Sequence, residues 1–279
     1  LPAEAGWGAG FERLDLTSAW GGAMVIPGRL ADHLDQLPED AEPIAGLLRI
    51  ARQAGMPERT LPENELAEGR WQIVRTGEAA HAQEPAWLRR RLPSAAANRP
   101  TAWVARYALR RFGTNLIGHS RALPVLAVLA GMLIVGSVAA AWFGYAAWAF
   151  VVLALAALSN EAVEGLVILQ RSIFDETSKP SRLNFVLRVM WDLALVATGA
   201  LAIDATRAER LFPPLVAAGL LRIAPWWDEA DWRALPTDRG VIAILVALAA
   251  ALGFAEGAFM IWVLLLILLR LAPEARQRG

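Results

Sequence analysis

Long apolar runs in the second half of the chain constrain its fold more than any other feature. Residues 122–279 contain nearly all of these runs. Residues 1–121 have no apolar run near the ~20 residues that a bilayer-spanning helix needs. The hydrophobic content of 56% also exceeds the ~45–50% usual for soluble domains. We therefore expect a helical membrane domain that follows a water-soluble N-terminal part.

Five apolar runs are candidate membrane segments, and they cover Pro124–Trp142, Ala146–Gln170, Phe185–Ile203, Leu211–Ile223 and Val241–Leu269. Arginines precede the first run and follow the last one, and both groups should stay in the cytoplasm. An even number of crossings satisfies this condition. Six crossings require the last run to fold as two short helices around Gly253–Gly257, whereas four require the fourth run to lie at the membrane interface. We favour six.

Residues 1–93 alternate strand-like and helix-like patterns. Ala23–Ile26 and Trp71–Val74 are short apolar runs of the kind that form buried strands. Helical spacing of apolar residues marks Arg29–Leu37, Ile44–Ala51 and Gly77–Arg91. The alternation predicts a partial α/β domain. Because the chain begins with leucine and not methionine, we expect a fragment or a processed protein.

A basic connector, residues 94–121, precedes the first apolar run. The stretch from Ala86 to Arg121 contains eight arginines and no acidic residue. Trp103, Tyr107 and Phe112 fall on one face of a predicted helix, a pattern suited to an anionic membrane surface. The arginines either fix only the topology or also contact lipid phosphates. Their position predicts a bacterial inner (cytoplasmic) membrane, with the N-terminal part in the cytoplasm.

Charged residues inside the apolar runs are the main functional candidates, because each costs about 2.5–3.5 kcal/mol at mid-bilayer. Glu161 and Glu164 lie one helical turn apart, and Arg188 and Asp192 share a helix face. The carboxylates are suited to hold Mg²⁺ or Mn²⁺ against substrate phosphates. Alternatively, they form an ion-paired cluster around Arg188 that joins the helices.

The spacing of these charged residues resembles the signature of the CDP-alcohol phosphotransferases. Glu164 with the glycine after it resembles the Asp-Gly that opens the signature, and Asn184, Arg188 and Asp192 resemble its Gly-xxx-Asp-xxx-Asp half. Members of that family have six transmembrane helices and bind two divalent metals through four aspartates. They transfer a phosphoalcohol from a CDP-linked donor to an alcohol and release CMP. Only Asp192 is retained as an aspartate at the matching spacing.

A second resemblance concerns the N-terminal part. Ala23–Pro27, Trp71–Thr76 and Glu84–Arg111 resemble the C-terminal part of a sugar-nucleotidyltransferase-like domain and its junction with the membrane domain in bifunctional inositol-phospholipid synthases. The two resemblances imply a partial nucleotidyltransferase-like domain in 1–93, a connector in 94–121 and a CDP-alcohol phosphotransferase-like domain in 122–279.

The resemblance implies which residues would bind metal and phosphate, but it does not identify a catalytic residue. Glu161, Glu164 and Asp192 would bind Mg²⁺ or Mn²⁺, and Arg182 and Arg188 would contact phosphate. The expected partners are membrane lipid and a CDP-linked donor, and a homodimer is compatible with the sequence. The zero net charge gives no reason to expect nucleic-acid binding.

Three functions stay open at this point. The first is a membrane transferase of phospholipid synthesis. The second is a non-catalytic pseudoenzyme that binds lipid or acts as a scaffold. The third is a transporter, suggested by the lone acidic Glu256 in an apolar run.

Overall fold

The described part of the protein is mostly helical. A computed structural model describes residues 1–33, 38, 42–92, 95, 98–117, 119, 121–174, 182–223 and 232–271. Within these residues the chain forms twelve α-helices. It divides into two compact units, Leu1–Ala82 and Gln83–Gly279, so the division falls before the predicted domain boundary at residue 93.

The first unit contains short helices around a small core. The helices are α1 (Ala3–Gly8), α2 (Gly28–Ala31), α3 (Pro43–Gln53) and α4 (Glu63–Ala67). Helix α5 (Gly77–Arg91) begins in this unit and continues into the second. The core consists of three buried residues, Leu1, Phe11 and Ala19, with three half-buried neighbours, Leu61, Leu66 and Trp71.

The predicted α/β layer is corrected by the structure. The described residues form only isolated bridges, which join Pro2 to Ser18 and Arg13 to Ala19. Ala23–Ile26 and Trp71–Val74 are not strands, and Val25 is 93% exposed. A strand needs a neighbour to pair its backbone N–H and C=O groups. These four-residue runs find no such neighbour among the described residues.

The helices predicted for residues 1–93 agree with the structure better than the predicted strands do. Helix α3 confirms the segment Ile44–Ala51, and its end is followed by Gly55, whose φ of 66° suits glycine. Helix α5 matches its predicted bounds and buries Leu88. Of the predicted helix Arg29–Leu37, the structure shows α2, and residues 34–37 lie outside the described residues.

The second unit is a helical domain whose core surrounds Phe150, Trp191 and Phe259, all three fully buried. A short 3-10 helix, Trp232–Thr237, precedes the last two α-helices. The α-helices are α6 (Pro100–Ile117), α7 (Ala122–Trp142), α8 (Ala146–Phe174), α9 (Arg182–Ala202), α10 (Arg207–Ile223), α11 (Arg239–Ala251) and α12 (Ala255–Leu271).

Three of the described helices are long and apolar enough to cross a membrane. They correspond to Ala122–Trp142, Ala146–Arg171 and Arg182–Ala202, which confirms the first three predicted runs. The last predicted run is two helices, α11 and α12, because Gly253 adopts a φ of 72° between them. This break is the one that six crossings require. The number of crossings itself stays a prediction, because α10, α11 and α12 are shorter.

Helix α6 contacts the core with its small residues and not with its aromatic ones. Ala102, Ala105 and Leu109 are each 2% exposed, whereas Trp103 and Tyr107 are 48% and 62% exposed. The two aromatic rings stack with their centroids 5.7 Å apart. The aromatic face therefore points outward, as a helix at a membrane surface requires.

One further predicted feature lies outside the described side chains. Trp226, Trp227 and Trp232 follow the fourth apolar run closely, and this spacing predicts an interfacial aromatic belt. The first two fall outside the described residues, and only the backbone of Trp232 is described.

Candidate functional site

A polar cavity lies in the second unit among residues of α6, α8, α9 and α11. Its volume is about 20 Å³, which is room for about one water molecule. Three uncharged polar residues, Thr101, Asn160 and Thr237, contribute to its wall. The charged residues that line it are three arginines and three carboxylates: Arg99, Arg188, Arg239, Glu161, Glu164 and Asp238. The lining is therefore polar but balanced in charge.

Asp238 joins the beginnings of α6 and α11. As the N-cap of α11 it accepts hydrogen bonds from the backbone N–H groups of Gly240 and Val241, both at 3.1 Å. Its Oδ2 accepts a third bond of 2.9 Å from the backbone N–H of Thr101, and the Thr101 hydroxyl donates to Oδ1. The carboxylate is 5% exposed. Its hydrogen bonds thus hold one wall of the cavity together.

Asp192 is the one carboxylate of α9, and it is paired with two guanidinium groups. Arg239 donates to Oδ1 from Nε at 3.2 Å and from Nη2 at 3.0 Å. Arg222 Nε lies 2.9 Å from Oδ2 in an ion pair whose geometry does not make a hydrogen bond. Asp192 is 4% exposed, and a buried carboxylate requires compensating charge. The pairs connect α9 to the end of α10 and to the start of α11.

Asp192, Arg222 and Arg239 form an ion-paired triad, and an aromatic ring contacts each of its two guanidinium groups. The Arg239 guanidinium lies 5.5 Å from the centre of the Trp191 ring, and that of Arg222 lies 5.9 Å from the centre of Phe185. The Trp191 indole N–H in turn donates to the carbonyl of Leu153 at 2.9 Å. The arginines are therefore held in place by stacking as well as by charge.

A second ion pair joins α8 to α9 at the cavity. Arg188 donates to Glu164. Glu161, one turn before Glu164, is half-buried and also lines the cavity. Beside it, both polar atoms of the Asn160 amide are buried and have no hydrogen-bond partner. An amide in this state is costly unless a ligand or water pairs with it.

The structure brings together some of the predicted site residues. Glu161, Glu164 and Arg188 line one cavity. Asp192 contacts that cavity only indirectly, through its partner Arg239. Arg182 is exposed at the start of α9 and does not line the cavity. The predicted set therefore divides between a cavity and an ion-paired triad around the buried Asp192.

The contacts of the predicted metal ligands do not fit a divalent cation. Among the described residues, no three His, Asp or Glu side chains are grouped as metal ligands. Asp192 is paired with two arginines and Glu164 with one, so a cation there would meet like charge. The contacts correspond in part to the ion-paired alternative: Arg188 pairs with Glu164, but Asp192 pairs with Arg222 and Arg239 and not with Arg188. Binding of Mg²⁺ or Mn²⁺ by Glu161, Glu164 and Asp192 stays a prediction.

The sequence analysis did not single out four residues that line the cavity or pair with Asp192: Thr101, Arg222, Asp238 and Arg239. Asp238 carries a recognisable signal, since an aspartate just before a helical apolar run is a typical N-cap. Arg239 directly follows that N-cap. Thr101 and Arg222 carry no such signal, because their roles depend on contacts with residues far away in sequence.

Comparison with known proteins finds no relative of this chain. No protein-family model, curated protein or solved structure matches the chain.

Proposed function

We propose that the chain is a non-catalytic membrane protein, similar in architecture to the CDP-alcohol phosphotransferases, that binds membrane lipid. One observation carries this proposal. Asp192, the retained aspartate of the motif, is paired with Arg222 and Arg239. Its negative charge is already compensated, so the transfer chemistry that would depend on a metal there has lost its main ligand.

The position of Arg188 supports the same proposal. This arginine stands where the resembled family has an aspartate, and it pairs with Glu164. A guanidinium group binds phosphate oxygens through paired hydrogen bonds, but unlike a metal ion it does not act as a Lewis acid. The substitution therefore favours binding of a phosphate group over its transfer.

The triad around Asp192 also supports six crossings with both ends of the domain in the cytoplasm. Arg222 lies near the end of α10 and Arg239 at the start of α11, yet both contact Asp192. The end of α10 and the start of α11 therefore lie at one level along α9, as they do in a pair of antiparallel helices. The turn at Gly253 then lets α12 return toward that level, as six crossings require.

A second candidate is the metal-dependent transferase of the resembled family. It is favoured by Glu161 and Glu164, which line one cavity one turn apart. A transporter is less well supported. Glu256 lies in the first turn of α12, where the helix N-terminus stabilises a carboxylate, so a structural role explains it.

The test is metal-dependent release of CMP. The full chain is purified into nanodiscs and incubated with CDP-linked alcohols and lipid acceptors, with Mg²⁺ or Mn²⁺. We expect no CMP above the rate of empty nanodiscs, together with lipid that stays bound during purification. Release of CMP that requires metal and disappears in Asp192→Asn would overturn the proposal in favour of the transferase.

A further inference from the structure

Helix α6 exposes an apolar face with an arginine at its centre. Four large apolar side chains of this face are 43–62% exposed: Trp103, Val104, Tyr107 and Phe112. At 3.6 residues per turn they cover one side of the helix, and the exposed Arg111 falls near the middle of that side. The small residues on the other side pack against the core. An exposed apolar surface of this kind marks a site of interaction.

The position of α6 in the chain places this face at the boundary of the bilayer. Only four residues separate its end at Ile117 from the start of α7 at Ala122. Helix α7 has 21 residues and is therefore about 32 Å long, close to the ~30 Å of the hydrocarbon core. Helix α6 also packs on α8, where Gly165 leaves room for the Leu109 side chain. The exposed face therefore lies where α7 enters the membrane.

The end of α5 brings three further arginines to α6. Arg89–Arg91 form the last turn of α5, and all three are exposed. Arg110 of α6 donates to the carbonyl of Leu92, just after α5, from Nε at 2.9 Å and from Nη2 at 2.7 Å. Leu92 also belongs to the buried cluster that contains Leu109. These contacts fix the arginine-rich end of α5 on α6.

The charge of these arginines is not compensated inside the protein. No acidic residue occurs from residue 86 to residue 121. Within the described part of the chain, no carboxylate pairs with Arg111 or with Arg89–Arg91, whereas Arg188, Arg222 and Arg239 of the helical core all have carboxylate partners. Positive charge beside an exposed aromatic face is complementary to an anionic lipid surface.

The turn between α7 and α8 provides an internal contrast. Four aromatic side chains there are 64–74% exposed: Trp142, Phe143, Tyr145 and Trp148. This turn lies at the other end of α7 and contains no charged residue. Aromatic rings alone suit the interface of any phospholipid bilayer. The arginines therefore distinguish the surface at α6 from the one at this turn.

We propose that the exposed face of α6, together with Arg89–Arg91, binds anionic phospholipids of the adjoining leaflet. The aromatic side chains lie among the headgroups, and the guanidinium groups bind lipid phosphates. This inference rests on the proposed lipid-binding function and names the class of lipid. A role in topology alone requires only positive charge, whereas the ordered aromatic face, with Trp103 and Tyr107 stacked, provides a surface for the lipid itself.

The experiment measures which lipid contacts α6 in the full chain. Because the chain has no cysteine, Ala108→Cys on the exposed face gives one site for a bimane label. The labelled protein is reconstituted in phosphatidylcholine, and its fluorescence is quenched with brominated phosphatidylglycerol or brominated phosphatidylcholine. We expect phosphatidylglycerol to bind about fivefold more tightly, the effect of one arginine near an anionic surface. The matched control, Tyr145→Cys at the uncharged turn, should show no preference.

Variants in the labelled Ala108→Cys protein test the role of charge. Arg111→Gln should lower the preference severalfold, whereas Arg111→Lys, which keeps the charge, should retain most of it. High salt should also lower the preference, since it screens exposed charges. The preference is a ratio measured on one preparation, so partial misfolding does not imitate these results. Equal quenching by the two lipids at residue 108 would overturn the inference.

Other outcomes separate this inference from the proposed function. If neither brominated lipid quenches the label at residue 108, protein covers the face, as in a dimer, and the inference fails. The CMP-release assay is run on the same preparation. Metal-dependent CMP release would refute the proposed function even where the lipid preference is found. An absent preference without CMP release would refute only the class of lipid.

Discussion

Ion pairs occur in both units of the molecule, but in opposite surroundings. In the first unit, Arg70 pairs with Glu65 at 2.7 Å and with Glu68, and these side chains are 29–53% exposed. In the second unit, the carboxylate itself is buried: the Asp192 side chain is 6% exposed, although its partners Arg222 and Arg239 are 42% and 23% exposed. Exposed pairs contribute little because water and salt screen them. A buried charge that loses its partner is strongly destabilising.

The ion pairs of the first unit therefore lie on its surface, whereas those around Asp192 hold helices of the second unit together. The first unit would keep its fold without its ion pairs, since its small core is apolar. In the second unit, the triad around Asp192 joins three helices, so its charges set how α9, α10 and α11 fit together. Substitution of one charged group at a time tests this difference between the two units.

The largest expected effect is that of Asp192→Ala. The substitution leaves two guanidinium groups without their shared carboxylate, which should cost on the order of 3 kcal/mol of unfolding free energy. Thermal unfolding of the full chain in nanodiscs measures it. The control is Asp204→Ala, whose fully exposed side chain pairs with Arg210 at 3.2 Å and should change stability little. Equal effects of the two variants would contradict the comparison.

A smaller effect is expected from Gly199→Ala in α9. A Cβ atom at this position would lie 2.6 Å from Pro214 Cγ of α10 and 2.9 Å from Phe259 Cζ of α12. Overpacking of this kind costs about 1–3 kcal/mol. Gly219→Ala in α10 is the matched control, because nothing lies within 4 Å of its added Cβ. Thermal unfolding should show a lower midpoint for the first variant only.

The first unit has a pH-dependent feature at Asp15. The hydroxyl of Ser18 (2.7 Å) and then the backbone N–H of Thr17 (2.8 Å) hold the pKa of the Asp15 carboxyl well below its usual range. Because the folded pKa is lowered, the contribution of Asp15 to stability is present above the unfolded pKa. It is lost as the pH falls through the folded pKa. Carboxyl ¹³C chemical shifts of the full chain should show Asp15 ionised where other aspartates protonate, and Ser18→Ala should raise its pKa.

The smallest expected effect is that of Arg70→Ala. Its pairs with Glu65 and Glu68 are exposed, so the thermal midpoint should not move measurably. The pKa of Glu65 is lowered chiefly by the hydrogen bond from Arg70, and it should return toward its usual value in the variant. A loss of stability comparable with that of Asp192→Ala would refute the contrast between the two units.

Helices in this chain could be predicted from the sequence because their signals are long or sharply bounded. The runs Pro124–Trp142 and Gly77–Arg91 correspond closely to α7 and α5. The short runs Ala23–Ile26 and Trp71–Val74 were misleading, since a strand depends on a partner that local sequence does not specify. The N-terminal glycines and prolines bound a loop as readily as a strand.

The candidate site could be predicted only in part. Charged residues in apolar runs pointed to Glu161, Glu164, Arg188 and Asp192 because their burial is costly. The arginines that pair with Asp192 could not be predicted in this way. The Asp192 carboxylate is paired with Arg239, 47 residues further along the chain, and this pairing follows from helix packing alone. The motif spacing therefore picks out charged positions near the cavity and the triad, but it does not show which arginines pair with them.

The most direct test of the ion-paired cluster is Mn²⁺ binding measured by electron paramagnetic resonance on the full chain in nanodiscs. We expect wild type and Asp192→Asn to give the same weak, non-saturable binding as empty nanodiscs, because guanidinium groups already neutralise the carboxylates. Saturable binding of one or more Mn²⁺ ions by wild type, lost in both Asp192→Asn and Glu164→Gln, would contradict it. In that case the carboxylates would be metal ligands, and the arginines would act beside a metal.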